Sequence, residues 1–275
     1  MHCYNSCDNI LAIERTRTER EGDYMKNYDV SIRPIYYACV SGGKDSLYML
    51  KLILSMPEKY PIDMVVHYEL EIDWDWVKRV VDYMESECTT RGIKFIRIHP
   101  RQTWSELYQK YGLPSRTARW CNSKYKMDCV AQLRKWIKEQ NCRPVAYIGF
   151  CADEVSRFKY QIDEYTDGQD VFYPLAHEGI NEIEILQWAK NCEIFGDWYK
   201  HFKRQGCMIC PNINYKELAY LKLHQPEVYD NFMNMVEEWE RRIGHNYFQS
   251  NPKYNVDYVR NIVDKKYIPQ LLSEE

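Results

Sequence analysis

The chain has 275 residues, of which 45% are hydrophobic and 28% charged. At roughly 150 residues per domain that is about 1.8 domains, so one large domain or a domain with an appendage is expected, and a disordered or fibrous chain is excluded. Lys and Arg number 37 against 40 Asp and Glu, a net charge of -3; no global field draws such a protein to nucleic acid or to an anionic membrane, so any nucleic-acid role needs a local patch.

Residues 1–30 mix charges without a period, as in Glu14 to Glu21, and read as an N-terminal extension. The start, Met1 to Asp8, has neither the basic nor the apolar region of a signal peptide, and the richest apolar run, Leu47 to Leu54, is broken by Lys51. The expectation is therefore a cytoplasmic protein with no membrane partner. From Pro34 short apolar runs recur at Ile35–Val40, Ile62–Tyr68, Ile93–Ile98, Val145–Phe150 and Val171–Leu175, each of strand length. Between them lie helical stretches at Ser46–Ser55, Asp75–Glu87 and Cys121–Gln140; Trp76, Val80, Tyr83 and Met84 recur on one face of the second. This is the rhythm of a parallel sheet. It predicts an α/β fold, a Rossmann-like three-layer sandwich with five parallel strands, over 31–178. Beyond Gly179 only helices are predicted, at Asn181–Lys190, Tyr215–His224 and Glu227–Arg242, with an aromatic, polar tail, so 179–275 reads as a C-terminal helical region. In open parallel sheets ligands bind outside the carboxyl ends of the strands, so function is expected in the loops after Val40, Tyr68, Ile98 and Phe150.

Ser41, Gly42, Gly43, Lys44, Asp45 and Ser46 follow the first strand and open a helix. The glycines let backbone amides approach a ligand, and the helix start adds positive potential, so this loop suits a phosphate. Lys44 supplies a point charge, Ser41 and Ser46 supply hydroxyls, and Asp45 can hold a divalent cation or cap the helix. The spacing is not the Walker pattern, which has four residues between Gly and Gly-Lys.

Ser-Gly-Gly-Lys-Asp-Ser after a strand resembles the signature of the N-type ATP pyrophosphatases, which bind ATP on this loop and split it between the α and β phosphates. Three further segments resemble the phosphoadenosine phosphosulfate reductase family within that superfamily, over about residues 34 to 211. They are Arg119 to Lys126, the loop Gly149 to Arg157 with Asp153 and Glu154, and Arg204 to Pro211 with its Gly-Cys-x-x-Cys-Pro close. The chain departs from the thioredoxin-dependent reductases, which close with Glu-Cys-Gly-Leu-His, since no cysteine follows Cys210. It departs from the iron-sulfur reductases at Cys121-Asn122, where they show Cys-Cys, and Cys151 stands where the family has Arg. These departures point away from sulfate-assimilation reductase activity.

Eleven cysteines without an export signal favour metal or redox chemistry over a disulfide framework. Cys39, Cys88 and Cys142 read as small hydrophobes. Cys207 and Cys210, flanked by Gly206 and Pro211, can converge on one metal from a tight loop. The resemblance implies Cys121 as a third ligand, giving a three-cysteine [4Fe-4S] site with an open iron able to hold sulfide. The alternative is structural Zn2+, completed by Cys192 or His201. Cys129 is set aside, because eight helical residues from Cys121 is about 12 Å.

Asp153 and Glu154 can coordinate Mg2+ or order their loop, and Arg157 can meet a phosphate or anionic substrate. Arg116, Arg119, Lys124 and Lys126, interleaved with Trp120 and Tyr125, can grip a phosphorylated substrate or an RNA backbone, or form a solvated face. Glu69, Glu71, Asp73 and Asp75 read as caps for the next helix, and His67, His99 and His177 receive no role. The expected activity is cleavage of ATP to AMP and pyrophosphate with Mg2+, activating an acceptor that then receives sulfur. Lys44, Asp45, Asp153 and Arg157 are the candidate catalytic residues. The alternatives are reduction of a sulfonucleotide and a zinc-stabilised nucleotide-binding module without turnover. The acceptor, a small molecule or a nucleic acid, a sulfur-donor protein and a homodimer are left open as partners.

Overall fold

A computed structural model describes residues 32–154, 170–248 and 254–274. The N-terminal extension over 1–30 and Arg157 lie outside the described residues. The chain divides into two compact units. Unit 1 holds 32–68, 75–98, 130–154 and 170–203; unit 2 holds 69–74, 99–129, 204–248 and 254–274.

In unit 1, five parallel strands stand in the order β3-β2-β1-β4-β5, where β1 is Pro34–Val40, β2 Met64–Tyr68, β3 Lys94–Ile98, β4 Arg143–Tyr147 and β5 Asp170–Phe172. The expected three-layer α/β architecture is present. Side chains alternate across the pleat. Tyr37, Met64, Val66 and Ala146 pack on one face against Leu133 and Ile137 of α4 (Met127–Glu139). Ala38, Val65 and Val145 point the other way and are fully buried too, where α1 (Lys44–Ser55) packs on β1 and α2 (Asp75–Thr90) on β3. His67, buried, joins β2 to β1 through Nδ1 and the Val40 carbonyl at 2.9 Å, a structural task in keeping with its lack of an assigned role.

The strand order reverses direction between β1 and β4, so the loops after those two strands flank the switch point where doubly wound sheets bind ligands. Two strands end earlier than expected. β4 ends at Tyr147, after which the amide of Phe150 turns back to Ile148 O, and β5 gives way to the short helix α5 (Pro174–His177), with Pro174 in its first turn. The predicted helix at Asn181 is α6 (Glu182–Lys190); a 3-10 turn at Glu193–Phe195 and α7 (Trp198–His201) complete the unit.

Unit 2 contains a helix the sequence reading passed over, α3 (Trp104–Tyr111), closed by a capping box in which Thr103 and Glu106 satisfy each other's amides. The stretch expected to be one helix from Cys121 opens instead as a π-helical turn, Cys121–Lys126. Such wide turns are rare and often mark functional sites. Helices α8 (Tyr215–His224) and α9 (Pro226–Ile243) are as expected, while the polar tail holds α10 (Val256–Ile262), a π turn at Val263–Tyr267 and α11 (Ile268–Glu274). Leu218, Leu221, Phe232, Met233, Val236, Val259, Val263 and Leu271 are buried in this helical unit. No described helix is long and apolar enough to cross a membrane.

Candidate functional site

Two glycines shape the site for different reasons, one in the turn from β1 into α1 and one in the loop after β4. Gly42 has φ +74°, and a Cβ there would stand 2.7 Å from Val77 Cγ1 and 3.1 Å from both Val77 O and Val81 Cγ2. Gly42→Ala is thus expected to destabilise unit 1 by about 1–3 kcal/mol through strain and overlap, read from the urea midpoint; an unchanged midpoint would contradict this geometry. Gly149, after β4, lies so close that a Cβ would meet Asp45 O at 3.0 Å. The two loops at the switch point therefore touch through backbone.

Ser46 organises the turn. Its Oγ accepts from the Ser41 amide at 3.1 Å and donates to Gly43 O at 2.9 Å, and Ser41 Oγ donates to it at 3.3 Å. Gly43 is the N-cap residue without a side-chain cap, so the first amides of α1 need other acceptors. The Lys44 amide donates to Tyr199 Oη of α7 at 2.8 Å, whereas the amides of Asp45 and Ser46 have no partner among the described residues. Two donors at a helix start, at the carboxyl end of the sheet, are of the kind that can receive an anion.

The Lys44 ammonium is 2% exposed and is held by Asp45 Oδ1 at 2.7 Å and Glu182 Oε1 at 3.5 Å. Around it stand Cys151, whose Sγ donates to Asp45 Oδ1 at 3.7 Å, and Glu154, whose Oε2 accepts the Cys151 amide at 3.0 Å. Asp153 Oδ1 accepts the Glu182 amide at 3.0 Å, fixing the start of α6. Burial raises the Asp45 carboxyl above its usual range; Lys44 opposes this, and Glu154 and Glu182 add to it. Burial also pushes the Cys151 thiol up, helped by Asp45 and Glu154, so the cysteine in the family's arginine position is a protonated, enclosed thiol. Glu182 and Tyr199 were absent from the sequence reading; each meets the loop only through folding.

In unit 2 the Cys-x-x-Cys loop is pinned at several points. Trp74 Nε1 donates to Gly206 O at 3.0 Å, the Met208 amide to Ile72 O at 3.0 Å, and Arg116 Nε to Pro211 O at 3.3 Å. Arg204 donates to Asn212 O at 2.8 Å and to Glu217 Oε2 at 3.1 Å; Glu217 also closes a capping box with Asn214. The acidic turn expected to cap α2 serves α3 in part, since Glu71 Oε2 accepts the Trp104 amide at 3.3 Å. The Cys210 amide turns back to Cys207 O at 3.2 Å, and Cys210 Sγ accepts the Asn212 amide at 3.4 Å.

Cys121, Cys207 and Cys210 share one electrostatic neighbourhood. Burial raises the Cys207 thiol, with Asp73, Cys210 and Cys121 adding and Lys126 opposing. Burial raises Cys121 likewise, with Cys210 adding and Arg119 opposing, and Tyr247 feels both Cys210 and Cys121. Among the described residues no three His, Cys, Asp or Glu side chains are gathered to hold a single metal ion. Cys192, the alternative fourth ligand for zinc, is not among the free thiols, so a zinc site cannot draw on it as a thiolate. Trp120 and Tyr125, interleaved in sequence with the basic residues expected to grip a phosphorylated substrate or an RNA backbone or to form a solvated face, are buried. Trp120 packs on Trp104 at 4.6 Å, and Tyr125 Oη accepts the Glu71 amide at 3.3 Å.

The family model for the phosphoadenosine phosphosulfate reductase domain matches residues 35–213, which include both the glycine-rich loop and the Cys-x-x-Cys loop. The chain belongs to the phosphoadenosine phosphosulfate reductase domain family. Two curated proteins of Methanocaldococcus jannaschii are similar to it: the uncharacterized protein MJ0066, 26% identical over 80% of this chain and 45% of its own length, and the uncharacterized protein MJ0973, 22% identical over 78% and 49%. The chain thus spans about half the length of these relatives. Among solved structures, the U34-tRNA thiolase NcsA from Methanococcus maripaludis with its [4Fe-4S] cluster aligns over 86% of this chain and 84% of that one, at 18% identity and a TM-score of 0.35. A superposition at that score carries nothing about the site.

Proposed function

We propose that this family member binds ATP with Mg2+ on Ser41 to Ser46, cleaves it to AMP and pyrophosphate, and thereby activates an acceptor that takes up sulfur. The observation that carries the reading is the corner at the start of α1, where the amides of Asp45 and Ser46 have no partner among the described residues and a buried ammonium stands beside them. Lys44, Asp45 and Glu182 form a set in which one cation is shared between two carboxylates. Asp45 would be the ligand for Mg2+ brought with ATP, which would screen the phosphate charge, and Lys44, paired with Asp45 at 2.7 Å, is the cation placed to meet the phosphates. The acceptor's oxygen attacks the α-phosphorus, the bond to the bridging α–β oxygen breaks, and the charge on departing pyrophosphate is met by Lys44 and the loop amides. Sulfide then replaces the adenylated oxygen and AMP leaves, so no external oxidant is needed.

For the sulfur, the donor set is three mutually interacting thiols with Arg119 and Lys126 offsetting their charge. Such soft ligands suit an iron-sulfur cluster, which takes each thiolate on a separate iron and demands less convergence than one zinc ion. Cys121, Cys207 and Cys210 would hold a [4Fe-4S] cluster whose fourth iron supplies a place for sulfide. Asn122 beside Cys121, where a cluster-bearing reductase has a second cysteine, and Cys151 in place of an arginine weigh against sulfonucleotide reduction. The test is product analysis of Mg-ATP incubated with the anaerobically purified chain and a deproteinised cell extract as acceptor source. AMP and pyrophosphate in equal amounts are expected; bound but uncleaved ATP would favour the module without turnover, and sulfite release from an added sulfonucleotide would favour the reductase.

A further inference from the structure

Between Glu106 and Asp128 the sequence holds five cations, Lys110, Arg116, Arg119, Lys124 and Lys126, and no acid. All five are exposed in unit 2, and none forms an ion pair among the described residues. Elsewhere in the same unit several cations are matched: Arg101 pairs with Asp128, Arg204 with Glu217, Lys216 with Glu274, Lys222 with Asp264 and Arg260 with Glu237. In a chain with net charge -3, the 107–127 stretch is thus a run of five exposed cations with no acid of its own. Arg116 ties that stretch to the Cys-x-x-Cys loop through the Pro211 carbonyl.

An aromatic platform belongs to the same stretch. Tyr111 is 43% exposed, yet its ring is backed by Trp120 at 6.2 Å, which in turn packs on buried Trp104 at 4.6 Å. Lys110 Nζ stands 5.2 Å from the centre of the Tyr111 ring. Glu238 acts on the neighbouring Tyr108, where Arg242 offsets it. A rigidly backed, exposed ring beside spread cations is the arrangement that stacks a base while its flanking phosphates are neutralised. A small phosphorylated metabolite is held instead in a concave pocket, and these cations lie on open surface. Unstacked bases are the ordinary state of RNA loops and the exception in DNA.

We infer that the Lys110–Lys126 face of unit 2 binds a single-stranded segment of RNA, with Tyr111 stacking on a base and Arg116, Arg119 and Lys124 meeting phosphates. That this RNA is the acceptor of the sulfur transfer rests on the function proposed above; that it binds does not.

The test is fluorescence anisotropy of a labelled 20-nucleotide, unstructured RNA with the full chain, without nucleotide, from 50 to 300 mM salt. Saturable binding is expected, with a log–log salt slope of about -0.7 per phosphate contact, hence roughly -2 to -3. The double variant Arg119→Ala/Lys124→Ala is expected to bind at least about tenfold more weakly and to flatten the slope by about 1.4. Tyr111→Ala should weaken RNA at least about fivefold, Tyr111→Phe should not, and neither should alter binding of inorganic polyphosphate. Three outcomes would overturn the inference: no saturable binding at 50 mM salt, an affinity unmoved by the double variant, or duplex DNA or polyphosphate binding as tightly as RNA with Tyr111→Ala silent. The exposed positions allow each variant's fold to be checked by its thermal transition. ATP cleavage, measured separately, reports on the nucleotide reading alone.

Discussion

Replacing Lys44 by alanine is expected to lower AMP formation by about 10²-fold or more, the usual cost of removing a preorganised group that meets charge developing in the transition state. Lys44 is the ammonium enclosed at the glycine-rich turn, 2% exposed and aimed between Asp45 and Glu182. Metal content in unit 2 should be unchanged. The same substitution has a pH signature. Lys44 opposes the burial that raises the Asp45 carboxyl, so without the ammonium that carboxyl rises further. Proton loss from Asp45 is what lets it take Mg2+; Mg-ATP affinity should therefore fall on acidification, and the fall should begin at higher pH in Lys44→Ala than in the parent chain. Equilibrium binding across pH 4 to 8 reads this directly. A midpoint that stays put or moves to lower pH would remove Asp45 from the magnesium role.

The second large effect is expected at Cys207. Cys207→Ala removes the thiol on which both of the other two act, so iron and sulfide on anaerobically purified protein should fall from stoichiometric to a small fraction, with the visible absorbance lost. ATP cleavage in the absence of sulfur uptake should persist, because the nucleotide loop belongs to unit 1 and draws its contacts from residues of that unit. Stoichiometric zinc on a colourless parent protein would make Cys207 and Cys210 structural and leave adenylation or nucleotide binding as the function. Unfolding of both Lys44→Ala and Cys207→Ala would contradict the division of labour between the units.

What was legible in the sequence followed the range of the forces involved. The run from Pro34 to Ser46 is local: an apolar strand, a Gly-Gly turn and a helix start within thirteen consecutive positions, and the fold subsequently formed matches it. Tyr199 and Glu182 reach Lys44 across 155 and 138 residues, and nothing in their own neighbourhoods marks a tyrosine hydroxyl as the acceptor for a helix's first amide. Cys207 and Cys210 announce themselves by spacing, whereas Cys121 stands 86 positions earlier and was reached only through the family resemblance. Helix α3 did carry a signal, Thr103 with Glu106 three positions on, but eight residues give too little hydrophobic period to weigh against a loop. Trp120 and Tyr125 were misread because alternation with basic residues looks like a binding face; the π turn at Cys121 buries Tyr125 and leaves Tyr111 as the exposed ring.

The bond that breaks tests the account most directly, and it is read by offering β,γ-methylene-ATP to the full chain with Mg2+ and the acceptor source. Cleavage between the α and β phosphates is indifferent to that substitution, so AMP and methylene diphosphonate should form at a rate comparable to turnover of ATP, while α,β-methylene-ATP should bind and remain intact. ADP and phosphate from ATP, with the β,γ analogue left uncleaved, would contradict the account.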